Sequence, residues 1–267
     1  MQKVVLITGT SAGLGQGLAQ IFHENGFKVY GTCRNPSRYP ATPYTTLAMD
    51  VTDEKQVSEA VQHIFSREGQ LDILINNAGI GLASPTEIVG MDKLNALFQT
   101  NVMGTVLTLK YVLPVMRIQG YGKIINISSI GSEIALPYRG LYCASKAAVN
   151  KINEALRMEI KEFGIQSTSI LAGDMQTSIN ENRLTEINQT DHPYSKAFQQ
   201  VHRHINAEVS KGISVRQAAE KIWKIAQNKK LKPSYSIGHP MQQFSLLLKR
   251  LLPESLFEKI IAQYSGI

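Results

Sequence analysis

The sequence is poor in cysteine, with only Cys33 and Cys143. Two cysteines exclude a disulfide framework and a cysteine-based metal site, and they suit a reducing compartment. His202 and His204 have no third ligand at a recognisable spacing, so we predict no metal site. The first predicted strand starts at Lys3, which leaves no room for a signal peptide, and we therefore expect a cytoplasmic protein.

Long apolar runs are absent, and so is an excess of charge over most of the chain. No run of about 18 apolar residues occurs, which argues against a membrane-spanning helix. Residues 1–195 hold 16 Lys/Arg and 17 Asp/Glu, whereas residues 196–267 hold 12 and 4. The basic last quarter is either a solvated surface or attracts an anionic membrane, an acidic partner protein or a phosphate-bearing ligand. No nucleic-acid motif accompanies it, so we expect no nucleic-acid partner.

The stretch from 124 to 148 carries the clearest chemistry. A β-branched segment predicts a buried strand ending at Ser129, and a helical pattern begins at Tyr142-Cys-Ala-Ser-Lys146. Residues four apart share a helix face, so Tyr142 and Lys146 direct a phenol and an ammonium to one point. A neighbouring cation lowers the pKa of a phenol, and bringing it from about 10 to near 7 takes about 4 kcal/mol. With Ser129 holding an oxygen and Tyr142 exchanging its proton, this set suits carbonyl–alcohol interconversion.

A Tyr-x-x-x-Lys pair also arises by chance, and a second motif near the start of the chain supports the catalytic interpretation. The apolar run 4–8 leads directly into Gly9-Thr-Ser-Ala-Gly13-Leu-Gly15 and then into a helical pattern. Strand, glycine-rich turn and helix form the context of a dinucleotide site, where the N–H groups of the helix start face a pyrophosphate. An ordinary strand-to-helix turn is the alternative.

The ends of the second and third predicted strands bear on the choice of cofactor. NAD-binding folds place an acidic residue after the second strand, but this sequence has Cys33 and Arg34. An arginine there favours a 2′-phosphate, so we predict NADP(H) as the preferred cofactor and NAD(H) as the alternative, unless Arg34 is a plain surface residue. Asp50 could accept a bond from the adenine amino group or cap the helix that starts near Asp53.

The remaining pattern alternates between strands and helices. We predict helices at 53–67, 92–118, 142–162 and 214–228, and strands at 4–8, 27–33, 45–49, 72–76, 124–129, 165–171 and 234–238. Asn101 falls inside a helix, where it needs either a local backbone partner or a water bridge towards Lys146. Thr177 could bond a cofactor carboxamide or cap a helix. Residues 178–212 are polar and weakly periodic, so we predict an irregular substrate lid at about 175–212.

The tail carries two apolar stripes at helical spacing, with Lys249 and Arg250 inside the first. Such stripes usually face a core, and an amphipathic segment lying on a membrane surface is the alternative. We therefore divide the chain into a domain at 1–240, which includes the lid, and an amphipathic helical extension at 241–267.

Together these motifs resemble those of the short-chain dehydrogenase/reductase family over essentially residues 3–240. The elements that match in order and spacing are the glycine turn, Asp50-Val51, Asn76-Asn-Ala-Gly79, Asn101, Ser129 and Tyr142-x-x-x-Lys146. The resemblance implies a single Rossmann-type, doubly wound α/β domain with a seven-stranded parallel sheet. It implies a catalytic tetrad in which Tyr142 is the acid/base, Lys146 holds the nicotinamide ribose and lowers the tyrosine pKa, Ser129 binds the reacting oxygen and Asn101 positions a water.

The same resemblance implies the cofactor site. We assign cofactor contacts to Gly9, Thr10, Ser11, Gly13, Leu14, Gly15, Arg34, Asp50, Val51, Asn77, Ala78, Gly79, Tyr142, Lys146 and Thr177. Two departures from the family pattern matter. Ala172-Gly173 replaces the usual Pro-Gly, and Ala12 stands where many NADP-using members carry arginine or lysine. Arg34 and Ser11 must therefore carry the 2′-phosphate preference.

The tail and the segment 193–202 are more similar to the hydroxysteroid and retinol dehydrogenase branch than to the ketoacyl-carrier-protein reductases. We therefore predict an oxidoreductase that interconverts a carbonyl and an alcohol on a steroid, retinoid or lipid. A ketoacyl thioester reductase whose acidic carrier is attracted by the basic tail is the second hypothesis. A nicotinamide-binding sensor or scaffold is the third. The family commonly pairs through the helices that hold Asn101 and Tyr142, so a homodimer or homotetramer is expected.

Overall fold

A computed structural model describes residues 2–176, 183–186 and 192–267. Seven strands form one sheet, in the spatial order β7-β6-β5-β4-β1-β2-β3, and every neighbouring pair is parallel. The strands are β1 (Val4–Thr8), β2 (Lys28–Cys33), β3 (Thr45–Ala48), β4 (Ile73–Asn76), β5 (Gly122–Ser129), β6 (Ile165–Ala172) and β7 (Ser234–Ile237). The predicted doubly wound α/β architecture is confirmed, with strand boundaries shifted by at most two residues.

The central strands are short and apolar because both faces of the sheet are covered. All residues of β1 and β4 are buried, as expected for strands of a parallel sheet between two helical layers. The chain runs outward from β1 to β3 on one side and returns to β4 on the other. This reversal opens a crevice at the carboxyl ends of β1 and β4, which is where open α/β sheets bind their ligands.

Helices cover the two faces in separate layers. The helices of the main domain are α1 (Gly13–Glu24), α2 (Glu54–Glu68), α3 (Met91–Phe98), α4 (Gly104–Gln119), α5 (Gly140–Glu159), α6 (Ser195–Ser210) and α7 (Val215–Gln227). Phe22 of α1 and Ile222 of α7 join one buried apolar cluster with the sheet. Val61 of α2, Val112 of α4 and Leu156 of α5 join the cluster on the opposite face.

The helix predicted at 92–118 is confirmed, since the structure is helical without a break from Met91 to Gln119. What the pattern did not predict is the π-helical turn at Gln99–Met103 between α3 and α4. The cause is a long-range contact. Asn101 accepts a hydrogen bond from the N–H of Ile80 at 2.8 Å and donates to the carbonyl oxygen of Ile80 at 3.0 Å. These bonds hold the turn against the loop after β4, and periodicity along the chain does not report them.

The irregular structure predicted for the lid at about 175–212 is wrong over its second half, where α6 is a regular helix of 16 residues. Residues 177–182 and 187–191 of the predicted lid lie outside the described residues, and its role as a lid stays a prediction. The buried side chains of α6 are Phe198, Val201, Ile205 and Val209, which recur at the spacing of one helix face. Polar residues fill the other positions and hide this stripe in the sequence.

The tail forms the two predicted helices, α8 (Pro240–Leu251) and α9 (Glu254–Ser265). Helix α9 packs on α6, with the Tyr264 and His204 ring centroids 4.9 Å apart. Phe257 is buried, and Gln200 donates to the carbonyl oxygen of Gly266 at 2.6 Å. Across the described ranges, none of the helices is both long and apolar enough to cross a bilayer.

Candidate active site

The turn between β1 and α1 forms a cradle for an anion. Gly9 and Gly13 take the left-handed region with φ of 72° and 57°, a conformation that glycine adopts without steric cost. Ala12 occupies the N-cap position and makes no side-chain cap hydrogen bond, and the first turn of α1 has no acidic residue. The N–H groups at this helix start therefore point outward as donors for an external acceptor.

The space behind the cradle is filled by backbone. A Cβ on Gly15 would overlap the carbonyl oxygen of Gly9 and the side-chain amide of Asn77. Asn77 donates from Nδ2 to the carbonyl oxygens of Thr8 at 2.9 Å and Gly9 at 3.0 Å. The Thr8 hydroxyl in turn accepts the N–H of Ala78 at 2.9 Å. These contacts fix the ends of β1 and β4 side by side, and the resulting groove fits the pyrophosphate of a dinucleotide.

A cavity of about 1100 Å³ extends from this cradle across the carboxyl ends of the strands. Most of the predicted site residues line it: Gly9, Ser11, Gly13, Leu14, Gly15, Arg34, Asp50, Val51, Asn77, Ala78, Gly79, Ser129, Tyr142 and Lys146. Thr10 and Asn101 do not. Thr177 lies outside the described residues.

Thr10 faces the sheet instead of the cavity. Its hydroxyl donates to the carbonyl oxygen of Thr32 at 3.3 Å, and a Cβ on Gly31 would lie 2.5 Å from that hydroxyl oxygen. The side chain is thus used to hold the glycine turn against β2. The N–H of Thr10 also donates to the carbonyl oxygen of Thr32, at 2.8 Å, so the predicted cofactor contact of Thr10 has no support in the structure.

At the adenosine end of the cavity, Arg34 is exposed beside Cys33 and Tyr39. Asp50 lies on the same wall, and its Oδ1 accepts the N–H of Thr52 at 2.9 Å and the Thr52 hydroxyl at 2.8 Å. The cap of α2 is Asp53, which accepts the N–H of Gln56 at 3.1 Å. The alternative that Asp50 caps this helix is therefore wrong, and its carboxylate remains at the cavity.

Three of the four tetrad residues meet at the far end of the cradle. Tyr142 and Lys146, one turn apart in α5, are both buried at 6 % exposure. The Ser129 hydroxyl accepts the N–H of Gly131 at 3.0 Å and lies near enough to the Tyr142 phenol to lower its pKa. Lys146 donates from Nζ to the carbonyl oxygen of Ile127 at 2.9 Å. Strand β5 and helix α5 thus bring the phenol and the hydroxyl together, and Lys146 lines the same cavity.

Asn101 stands directly behind this group. Besides its two bonds to Ile80, it donates from Nδ2 to the Ser145 hydroxyl at 3.0 Å. A Cβ on Gly79 would lie 3.1 Å from Asn101 Oδ1 and 3.3 Å from Lys146 Nζ. The side chain thus has a backbone partner, but this is Ile80, 21 residues away, and not the local one that the sequence suggested. The water bridge towards Lys146 stays a prediction.

Electrostatics at the tyrosine differ from expectation. Burial raises the pKa of the Tyr142 phenol above its usual value, against opposing effects of the Arg139 guanidinium and the Ser129 hydrogen bond. Burial also lowers the pKa of Lys146 to about 8. The prediction that Lys146 brings the phenol near neutrality is not met in the protein alone, because removal of both groups from water disfavours their charged forms.

Sequence reasoning missed several cavity residues. The guanidinium carbon of Arg139 lies 4.7 Å from the centroid of the Tyr142 ring. Because Arg139 precedes Tyr142 by about one helical turn, its spacing in the sequence could have predicted this contact. Arg183, Asp174 and Gln242 also line the cavity. Asp174 and Arg183 come from segments without clear periodicity, and Gln242 is a polar residue of the tail, whose periodicity indicated only the apolar stripe.

Comparison with known proteins agrees with this geometry. A short chain dehydrogenase family model matches residues 3–188. The chain is 36% identical to a 3-ketodihydrosphingosine reductase of Bacteroides thetaiotaomicron, over 99% of this chain and 98% of that protein. It is 36% identical to 17-beta-hydroxysteroid dehydrogenase type 1 of Homo sapiens, over 68% of this chain and 60% of that protein. A short chain dehydrogenase from Burkholderia cenocepacia, solved in complex with NADP, superposes with a TM-score of 0.77 at 25% identity, covering 98% of this chain and 99% of that one.

The glycine cradle, the order of the sheet and the buried tyrosine–lysine pair therefore coincide with a family match over most of the chain. Together they establish a nicotinamide cofactor and an NAD(P)-dependent oxidoreductase that acts on CH–OH groups. The chain belongs to the short-chain dehydrogenase/reductase family.

Proposed function

We propose that this protein is an NADP(H)-preferring reductase that converts the ketone of a long-chain lipid into a secondary alcohol. The observation that carries the proposal is the composition of the cavity wall beyond Tyr142. Helices α8 and α9 line it with apolar side chains: Met241, Phe244, Leu248, Phe257, Ile260 and Ile261. Such a wall suits an extended alkyl chain, which gains free energy by leaving water.

The extent of the two similarities favours a lipid over a steroid. The match to the ketodihydrosphingosine reductase covers 99% of the chain and thus includes the helices that wall the cavity. The match to the hydroxysteroid dehydrogenase covers 68% of the chain. The part of the molecule that contacts the substrate tail is therefore shared more fully with a protein named for a long-chain ketone.

The proposed mechanism assigns proton transfer to Tyr142. A nicotinamide bound in the cleft supplies the hydride. Ser129 and Tyr142, which lie near each other in the cavity wall, would both reach the carbonyl oxygen. The Tyr142 hydroxyl donates its proton to that oxygen, and the Ser129 hydroxyl holds it in place. Because burial keeps the phenol protonated at neutral pH, the site is prepared as a proton donor, which is the role that reduction requires.

The first test is NADPH oxidation by the purified protein with a panel of carbonyls. The panel contains 3-ketodihydrosphingosine, a simple long-chain ketone, a ketosteroid, retinal and a ketoacyl thioester. We expect turnover of the long-chain ketones to exceed that of the steroid. Tyr142→Phe should lose turnover by about a hundredfold or more while still binding NADPH. Activity retained in this variant would overturn the assigned acid, and exclusive turnover of the steroid would overturn the substrate class.

The preference for NADP(H) is proposed from Arg34 at the adenosine end of the cavity. Arg34→Ala should raise the KM for NADPH by about tenfold or more, because a charge-assisted hydrogen bond to a phosphate is lost, and should leave the KM for NADH unchanged. Arg38, an exposed arginine in the adjacent 3-10 turn at Pro36–Arg38, provides the matched control. Equal effects of Arg34→Ala on both cofactors would contradict the proposal.

The thioester alternative loses support from the position of only three of the twelve basic residues at 196–267, since Lys211 lines the cavity and Lys249 and Arg250 lie on α8. Lys229, Lys230 and Lys232 lie between α7 and β7, at the amino end of β7. The cavity opens at the carboxyl ends of the strands. An acidic carrier attracted by these lysines would dock at the opposite edge of the sheet from Tyr142.

We also propose that α8 and α9 lie against an anionic membrane surface. Leu251 is 70% and Met241 67% exposed, and Lys249 and Arg250 directly precede Leu251. Exposed apolar residues beside basic ones favour binding to anionic lipid. Sedimentation with phosphatidylglycerol vesicles should show binding at low salt that is weakened by Leu251→Gln. The control is Met91→Gln, which changes a similarly exposed side chain on α3. No binding at low salt would overturn this proposal.

The expected homodimer or homotetramer also remains a proposal, supported by apolar side chains on α4 and α5. Ile118 on α4 and Met158 on α5 are exposed by 77% and 75%. Light scattering after size-exclusion chromatography should report a dimer or tetramer, and Ile118→Glu should shift it towards the monomer. A monomeric wild-type protein at micromolar concentration would contradict the expectation.

A further inference from the structure

The Tyr142 phenol has a cation over its ring that does not belong to the tyrosine–lysine motif. The guanidinium carbon of Arg139 lies 4.7 Å from the ring centroid, within the range of a cation–π contact. Both residues line the cavity, and Tyr142 is buried at 6% exposure. Contacts of this kind are stronger where water is excluded. Arg139 therefore acts on the phenol that the proposed reaction uses.

The lysine of the motif is bound to the backbone instead. Lys146 donates from Nζ to the carbonyl oxygen of Ile127 on β5 at 2.9 Å. Burial lowers the pKa of Lys146 to about 8, so this ammonium loses its charge at mildly alkaline pH. A guanidinium keeps its charge through that range. Of the two cations that flank Tyr142 along the chain, Arg139 is therefore the one whose charge persists when the pH rises.

Arg139 enters the cavity from a backbone that is held in place. It occupies the N-cap position of α5, and its carbonyl oxygen accepts the N–H of Cys143 at 2.9 Å. The residue before it, Tyr138, has a φ of 60°, which is rare for a residue with a side chain. Tyr138 packs against Phe198 of α6, with ring centroids 5.5 Å apart, and its carbonyl oxygen accepts the N–H of Ser84 at 2.8 Å. This strained, anchored turn fixes the direction from which the guanidinium reaches the phenol ring.

The guanidinium of Arg139 is better accommodated beside a negatively charged ring than beside a neutral one. Its Nε is shielded from solvent and has no hydrogen-bond partner among the described residues. A buried N–H without an acceptor costs free energy, and contact with the electron-rich face of the Tyr142 ring offsets part of that cost. The attraction increases when the phenol becomes a phenolate, because a full opposite charge then lies beside the cation.

Other ionisable groups surround this pair: Cys143 and Lys146 on α5, Arg183 in the segment 183–186, Asp174 after β6, and His202 and Glu208 on α6. Among the cations that lower the pKa of Tyr142, Arg139 has the largest effect and Arg183 a smaller one. An ionised Asp174 offsets part of the Arg139 charge, but burial raises the pKa of Asp174 itself. Arg139 is thus the principal cation at the phenol.

We infer that Arg139 is a positioning residue for proton transfer, which holds the Tyr142 ring and stabilises the phenolate that forms when the proton leaves. The inference rests on the proposed role of Tyr142 as the acid. In reduction, the phenol O–H bond breaks and its proton passes to the carbonyl oxygen, whose carbon accepts the hydride. In oxidation, the phenolate takes the proton of the alcohol. Loss of Arg139 should therefore matter most at pH values where the phenolate is scarce.

The pH profile of alcohol oxidation separates this role from a structural one. With 2-decanol and NADP+, kcat/KM should rise with pH as the phenol ionises. In Arg139→Gln the midpoint of this rise should be higher by about one pH unit or more, because a close cation lowers a pKa by about that much. The loss should be about tenfold below both midpoints and should shrink above them. A structural defect would instead lower kcat/KM by one factor at every pH, and that result would overturn the inference.

Two further variants control for charge and for packing. Arg139→Lys keeps a cation at this position and should return the midpoint part of the way to the wild-type value. Arg203→Gln is the matched control, because Arg203 is exposed on α6 and its loss changes the net charge equally. Its midpoint should equal that of the wild type. Arg139→Met, which keeps the apolar part of the side chain, replaces Arg139→Gln if that variant fails to fold.

A titration without turnover separates failure of the inference from failure of the proposed function. Carbon-13 NMR of the NADP+-loaded protein, labelled at tyrosine Cζ, follows the phenol itself, and Tyr142→Phe identifies its signal. The Tyr142 midpoint should be higher by about one pH unit or more in Arg139→Gln. Equal midpoints, or a phenol that stays protonated to pH 11 in both proteins, would overturn the inference, whatever the panel of ketones shows. The expected difference in a protein that turns over no carbonyl would contradict the proposed function alone.

Discussion

Substitution of Lys146 tests the electrostatics of the site in the protein without cofactor. Burial brings the pKa of Lys146 to about 8 from its ordinary value of 10.5. Each decrease of one in a lysine pKa destabilises the charged form in the folded protein by about 1.4 kcal/mol. Charged Lys146 therefore lowers the free energy of unfolding by roughly 3 kcal/mol at neutral pH. A buried lysine that lowers the stability of the protein in this way is expected at a functional site.

The sign of the pH dependence follows from proton binding. Between pH 8 and the ordinary lysine pKa, the unfolded chain holds a proton on this residue that the folded protein has released. Stability therefore rises with pH through this window, by about 2 kcal/mol between pH 8 and pH 10, and is independent of this group well below pH 8. Lys146→Met removes the titration. The stability difference, wild type minus variant, should therefore grow by that amount as the pH rises.

Urea denaturation of the cofactor-free protein at several pH values measures this difference directly. Burial also lowers the pKa of Lys123, but that contribution is common to both proteins and cancels. Lys151→Met is the control on the same helix, because Lys151 is exposed and its hydrogen bond with Glu154 raises its pKa. A difference between wild type and Lys146→Met that stays constant from pH 7 to pH 10 would refute the assignment of a lowered lysine pKa.

Three further substitutions test the geometry. Gly15→Ala should lower the free energy of unfolding in urea by about 1–3 kcal/mol, because its Cβ would overlap the backbone. The same variant should lose the NADPH binding that fluorescence detects. Gly140→Ala is the control, since the space around Gly140 is open, and it should keep both the wild-type stability and NADPH binding. Asp53→Ala should cost about 1 kcal/mol in the same denaturation assay through loss of the α2 cap. Asn101→Ala should lower the free energy of unfolding by about 1–3 kcal/mol, because the N–H and the carbonyl oxygen of Ile80 both lose their hydrogen bonds to the Asn101 side chain. An inactive variant with wild-type stability would argue against this structural role.

The elements that sequence predicted well are those set by local pattern. The strand at Val4–Thr8 is apolar throughout and fully buried, and the glycine turn after it has conformations that exclude most other residues. Tyr142 and Lys146 fall on one face because helix geometry alone places them there. Each of these features depends on residues only a few positions apart, so the local sequence pattern alone predicts it.

The features that sequence failed to predict depend on contacts between distant segments. The π-helical turn at Asn101 is held by Ile80, 21 residues away. The cavity places Arg139 beside Arg183, which lies 44 positions later in the chain by the numbering, in a segment without periodicity. The raised pKa of Tyr142 follows from burial, which the spacing of Tyr142 and Lys146 does not encode. Local rules locate the reacting groups, but tertiary packing sets their protonation and their neighbours.

The two alternatives for the tail, core packing and an amphipathic segment lying on a membrane surface, do not exclude each other. The structure confirms packing for part of the stripes at 241–267, and the membrane contact stays a proposal. In the structure, Phe257 is buried and lines the cavity, whereas Leu251 of the adjoining helix is 70% exposed. A helix pair with apolar residues on both sides can wall a cavity and present an apolar surface at the same place. A lipid substrate would then pass from membrane to cavity along one apolar path, so Leu251→Gln should raise KM for vesicle-borne ketone and leave kcat unchanged.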